Sequence, residues 1–145
     1  MRSRTHLWLL GLLLVCSCST AERTASYRID EGLMLEVRLE TIHPFLAEYE
    51  RTAILVRKGK PDLRRTMMLD HGGHSATNLY ACGSGVFVLD GYFDVWKVDS
   101  IAGTITEGDC VDRVYLGVFD VSPSGPWRFH HAEVRPDVDL VPSGG

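Results

Sequence analysis

Leu33-Met34-Leu35-Glu36-Val37-Arg38-Leu39-Glu40 sets Leu33, Leu35, Val37 and Leu39 at every second position, alternating with Met34, Glu36, Arg38 and Glu40. Successive side chains of an extended chain point to opposite faces, so this is the pattern of a strand with one buried side. Glu50 to Val56 repeats it, with Ile54 and Val56 facing opposite to Leu55, and Leu63 to Leu69 follows after Arg57-Lys-Gly-Lys-Pro61. Gly and Pro in that connection make the pair a hairpin. Asn78 to Cys82 and Val86 to Leu89 flank the tight turn Gly83-Ser84-Gly85, and Tyr92 to Val98 and Gly103 to Thr106 come next. Val114 to Val121 is the most apolar run and suits a central strand, and Ser122 to Pro126 turns it back into Trp127-Arg128-Phe129. Eight or nine short strands with evenly spaced turns predict an all-β fold, a single small β-sandwich or barrel. The one expected helical turn is Pro44 to Tyr49, where the proline stands at a first helical position.

The N-terminus has a different character. Arg2 and Arg4 precede a nine-residue apolar run, Leu7 to Val15. A membrane-spanning helix needs about 20 apolar residues, whereas the core of a secretory signal has about 7–15. The run ends in Val15-Cys16-Ser17-Cys18. This resembles the bacterial lipobox, with an aliphatic residue three before the cysteine and a small one directly before it. Cys16 fits less well, because Val15 would then occupy the small position. The resemblance implies that residues 1–17 are removed and that Cys18 carries a diacylglycerol on its thiol and an acyl chain on its amine. Each buried CH₂ contributes about 0.8 kcal/mol, so several acyl chains anchor stably. Ser19, not Asp, implies sorting to the outer membrane, facing the periplasm.

On this reading residues 18–31 are the lipidated cysteine and a polar tether, 32–134 the β-rich domain, and 135–145 a flexible tail containing Pro and Gly. Removal of the signal leaves 13 basic and 19 acidic residues, a formal charge of −6. An acidic domain without a basic cluster is poorly suited to nucleic acid or to an anionic lipid surface, so that partner class is set aside. Cys16 leaves with the signal and Cys18 takes the lipid, so Cys82 and Cys110 remain. Two cysteines in an exported domain pair more often than not.

Asp70-His71-Gly72-Gly73-His74 offers ligand types suited to a divalent metal through Asp70, His71 and His74, with His130 and His131 as additional ligands if the fold brings them near. The glycines alone also explain the segment as a turn. Ser75 and Ser84 lack the G-x-S-x-G elbow, and the acids Asp90, Asp94, Asp99, Asp109 and Asp112 match no calcium loop. No cofactor is expected, and no catalytic constellation is read. Arg51 or Arg128 is expected to pair with Glu48 or Asp120. His43 to Tyr49, and Tyr115 to Asp120 with Trp127-Arg128-Phe129, are similar to segments of small uncharacterised exported bacterial proteins, a likeness that implies no activity.

The leading expectation is therefore a membrane-anchored periplasmic lipoprotein whose domain binds protein and is not an enzyme, its acidic surface matched to a basic or envelope partner. The alternatives are an envelope assembly accessory, an inhibitor or immunity protein, and a metal-binding protein using His71 and His74.

Overall fold

The computed structural model describes residues 22–71, 75–121 and 125–137. Cys18, His74, Ser122 and the tail beyond Asp137 lie outside them. Among the described residues, eleven strands form two antiparallel sheets, and neither closes into a barrel. The first contains β1 (Arg23–Asp30), β2 (Leu33–Thr41), β3 (Glu48–Arg57), β4 (Leu63–Thr66) and β5 (Asp70–His71), ordered β1-β2-β3-β4 with β5 also on β3. The second contains β6 (Thr77–Ala81), β7 (Val86–Gly91), β8 (Val95–Asp99), β9 (Thr104–Glu107), β10 (Val114–Val121) and β11 (Trp127–His131), ordered β11-β10-β6-β7-β8-β9.

The alternation of β2 places Leu35, Val37 and Leu39 in the core, against Ala53 and Leu55 of β3 and against Leu79, Leu89, Val98 and Phe119 of the opposite sheet. Two expectations are corrected. Residues 23–30, read as tether, are strand β1, with Ala25 buried and Tyr27 and Ile29 packed against the core. Pro44 to Tyr49 is not a helical turn, because Glu48 and Tyr49 already ladder with His71 and Asp70. The run from Leu63 is broken at Met67–Leu69 into β4 and β5, which with β1 brings the strand count to eleven.

The two ends of the sandwich are set by residues that cross between the sheets. Arg51, near the start of β3, reaches Thr77 at the start of β6, and the Arg57 guanidinium at the end of β3 lies under Gly103 of the β8–β9 turn. The first end therefore carries the start of β1, the β2–β3 loop, the β4–β5 break and the β7–β8 turn. The second carries the β6–β7 and β8–β9 turns. The lateral edges approach without a ladder. Tyr27 of β1 packs against Phe129 of β11 with ring centroids 4.9 Å apart, and Arg65 of β4 donates at 3.3 Å to the Ile105 carbonyl of β9. Trp127 Nε1 adds a cross-sheet bond of 2.9 Å to the Val37 carbonyl.

β6 to β9 form a simple meander, and the chain then returns over the outer face of the second sheet to place β10 beside β6. The Cys82–Cys110 disulfide joins the end of β6 to that return segment, with Cα atoms 6.2 Å apart. Beyond it, the register shifts between Tyr115 and Gly117. Gly117 sits at φ 149°, where a Cβ would come 2.1 Å from the His130 carbonyl oxygen, so only glycine fits this bulge.

Candidate functional site

The histidine loop does not assemble as expected. Asp70 and His71 are neighbours on a strand, so their side chains project to opposite sides. Asp70 is fully buried and accepts a hydrogen bond from Ser75, whereas His71 is exposed, with Nδ1 3.6 Å from Glu48. Asp70 is thus turned away from any ion that His71 would hold, and His74 lies outside the described residues. His130 and His131 are far away. His131 packs near Tyr27, whose register neighbour on the far side of β2 is Leu55 of β3, while His71 pairs with Glu48 of β3. Seven residues along a strand is about 23 Å. Ser84 occupies the β6–β7 turn at φ 29°.

The expected arginine pairs are also rearranged. Arg51 is fully buried and bonds Asp94 at 2.8 Å, the Met68 carbonyl at 3.1 Å and Thr77 Oγ1 at 3.1 Å. Asp94 Oδ2 in turn accepts from the Met68 backbone N–H at 2.6 Å and from Trp96 Nε1 at 2.7 Å. A Cβ on Gly91 would lie 2.4 Å from the guanidinium, so glycine there makes room for it. Asp120 pairs with Arg135 at 2.5 Å rather than with Arg128. Arg51 shares the facing of Ala53 and Leu55, and a charged residue in phase with a buried apolar row was the sequence signal for it. Its partner, 43 residues away, carries no such mark.

Around the return segment is a polar cluster that sequence reasoning did not assemble. Arg113 bonds Asp90 at 2.5 Å, also bonds Asp109, and stands 5.1 Å over the Tyr80 ring. The hydrogen bond from Arg113 holds the Asp109 carboxyl below the usual carboxylate range, and in return the pairing raises Arg113. Tyr80 donates to Asp137 at 2.8 Å, and Asn78 donates to the same oxygen at 3.0 Å. Burial, followed by the hydrogen bond to that carboxylate, pushes the Tyr80 hydroxyl well above its ordinary range. Tyr115 donates to the Arg135 and Pro136 carbonyls and is pushed up to about 12, chiefly by burial. Residues 135–137, expected to be loose tail, are therefore tied to the sheet.

Charge is divided unevenly between the sheets. Residues 22–71 contain nine basic and nine acidic residues, whereas residues 75–137 contain four basic and nine acidic, an excess of five acids. Among these acids, Glu107 ends β9 and the return segment carries Asp109 and Asp112, with Val111 86% exposed beside the disulfide. An open groove of about 540 Å³ follows the β4/β9 seam, lined by Arg64, Arg65, Trp96 and Glu107 among others.

At the other end, the β2–β3 loop is organised by His43, whose Nδ1 accepts from the Phe45 and Leu46 N–H groups at 3.2 and 3.1 Å. This short turn projects Phe45 outward, 89% exposed. Comparison with protein-family models, curated proteins and solved structures gives no match to this chain.

Proposed function

We propose that the chain is a lipid-anchored envelope protein that acts by binding, not catalysis, and that it takes a basic protein partner on the acidic half of its sandwich. The observation that carries this reading is the separation of charge: a neutral first sheet and a second sheet with an excess of five acids, across which a disulfide-pinned segment displays Asp109, Val111 and Asp112. A negative field concentrated on one face speeds and orients encounter with a positive partner. An exposed apolar residue within it supplies the desolvated contact that charge alone does not. The anchor at Cys18 and the periplasmic, outer-membrane location belong to the same proposal and rest on the lipobox resemblance.

The test places a photo-crosslinking side chain at Val111 in the full lipidated chain and, as control, at Met34 on the outer face of the first sheet. The expected product is one basic protein joined from position 111 and not from position 34. Its yield falls with added salt, and in Glu107→Gln/Asp112→Asn, where asparagine tolerates the left-handed φ of 60° at position 112. Equal products from both positions, or a yield unchanged in the neutralised variant, would overturn the reading.

A further inference from the structure

We infer that the end of the sandwich opposite the disulfide is seated in the membrane surface, with Phe45 and Leu46 inserted among the lipids. The inference rests on the proposed lipid at Cys18 and adds an orientation that a lipid alone does not impose. β1 begins at Arg23, five residues after Cys18. Five residues span at most about 18 Å. β3, with ten residues, is about 33 Å long at strand rise. A tether shorter than the domain cannot bring the far end of the sandwich to the bilayer.

The anchored end is fixed by register. Arg23 pairs with Leu39 of β2, and Leu39 with Arg51 of β3, so the chain enters beside the β2–β3 loop. Independently of any anchor, that end concentrates exposed apolar side chains. Among the described residues, six of the ten large apolar side chains left exposed are here: Ile42, Phe45, Leu46, Met68, Phe93 and Val121. They come from three separate connections and the end of β10. The Arg51–Asp94 network binds two of these together, because Asp94 of the β7–β8 turn accepts the Met68 N–H. A set of apolar tips at one end of the sandwich, on the side from which a short lipidated tether leaves, fits an apolar and laterally extended surface. The acyl region below the headgroups is such a surface.

The experiment uses the lipidated chain in vesicles of phosphatidylethanolamine and phosphatidylglycerol containing brominated phosphatidylcholine, which quenches tryptophan in the acyl region. Two variants are compared with the parent, whose Trp96 and Trp127 set the baseline: Phe45→Trp, and Ile101→Trp in the β8–β9 turn at the opposite end. The added tryptophan of Phe45→Trp is expected to lose most of its fluorescence, and that of Ile101→Trp none. Neither tryptophan quenched, or both quenched alike, with acylated Cys18 confirmed by mass spectrometry, would overturn the seating and leave the anchor standing. A Cys18 without lipid, in a chain that does not float with the vesicles, would overturn the anchor and the seating together. A further variant, Phe45→Ser/Leu46→Ser, alters only exposed positions. In the unlipidated Cys18→Ala chain it should weaken residual vesicle partitioning by about tenfold or more, from the apolar area lost.

Discussion

The first sheet is a run of neighbouring hairpins whose outer face, apart from the buried Ile54, carries partly exposed residues and paired charges such as Arg38 and Glu22, 2.9 Å apart. The second sheet is covered on its outer face. There Val88 and Val118 are fully buried, and Asn78 and Tyr80 nearly so, in the same layer as the return segment and residues 135–137. The first half is electrically balanced and the second acidic. The difference shows how a small domain can gather like charges on one side: the segment that carries them is held by a covalent link and by Arg113, which sits between Asp90 and Asp109. Repulsion among the remaining acids is then borne by a fixed scaffold, not by a free loop.

The contact between the halves is the place to break this arrangement. Arg51→Ala leaves Asp94 buried without its cation and should cost about 3–5 kcal/mol in urea unfolding, a large part of a small domain's stability. Asp94→Ala should cost a similar amount. The double variant should cost clearly less than the two together, since neither charge is then left alone. A double variant equal to the sum would show that the two residues act separately.

Replacing both Cys82 and Cys110 by Ala should lower stability by about 3–4 kcal/mol, from the loop closed by a separation of 28 residues. Protection from hydrogen exchange should fall first in β10 and in residues 135–137, with β1–β3 little changed. Uniform loss across both sheets would contradict the view that the bridge serves the covering of the second. Trp127→Phe keeps an aromatic ring but removes the indole donor to the Val37 carbonyl, which retains its place in the ladder, for about 0.5–1.5 kcal/mol.

Alkali should sharpen the contrast further. Tyr80 and Tyr115 ionise less readily in the folded chain than in the unfolded one, so they favour the native state fully below pH 10. That contribution is lost as pH rises through about 12 for Tyr115 and higher for Tyr80. Tyrosinate absorbance and unfolding midpoints followed together should show stability declining above pH 10, and a shallower decline in Tyr115→Phe. The smallest effect belongs to the first sheet: Glu22→Gln removes an exposed pair and should change stability by less than about 1 kcal/mol.

The all-β architecture was legible because β2, β3 and β10 carry long, regular apolar rows. β1 escaped because its inward row is Ala25, Tyr27 and Ile29, a small residue and two partly wetted ones, between Ser26, Arg28 and Asp30. A row that weak makes a strand only once Leu35 and Val37 lie beside it. β5 is two residues long and exists through its pairing with Glu48 and Tyr49. The Asp70–His71 pair is a poor guide to a shared site because strand geometry sends neighbours in sequence to opposite faces. Arg113, Asp90, Tyr80 and Asp137 come from four separate segments, and only the return of the chain over β6 gathers them.

Each sheet is drawn from one unbroken stretch of chain, residues 23–71 and residues 77–131, with no strand exchanged between them. A cut at residues 72–74 would leave intact every ladder hydrogen bond among the described residues. The two pieces would have to find each other through side chains alone: the apolar inner faces, Trp127 on Val37, and Arg51 on Asp94. In that sense the molecule is a heterodimer written on a single polypeptide, and its halves are suited to use as a split reporter whose reassembly is tunable through the buried Arg51–Asp94 pair.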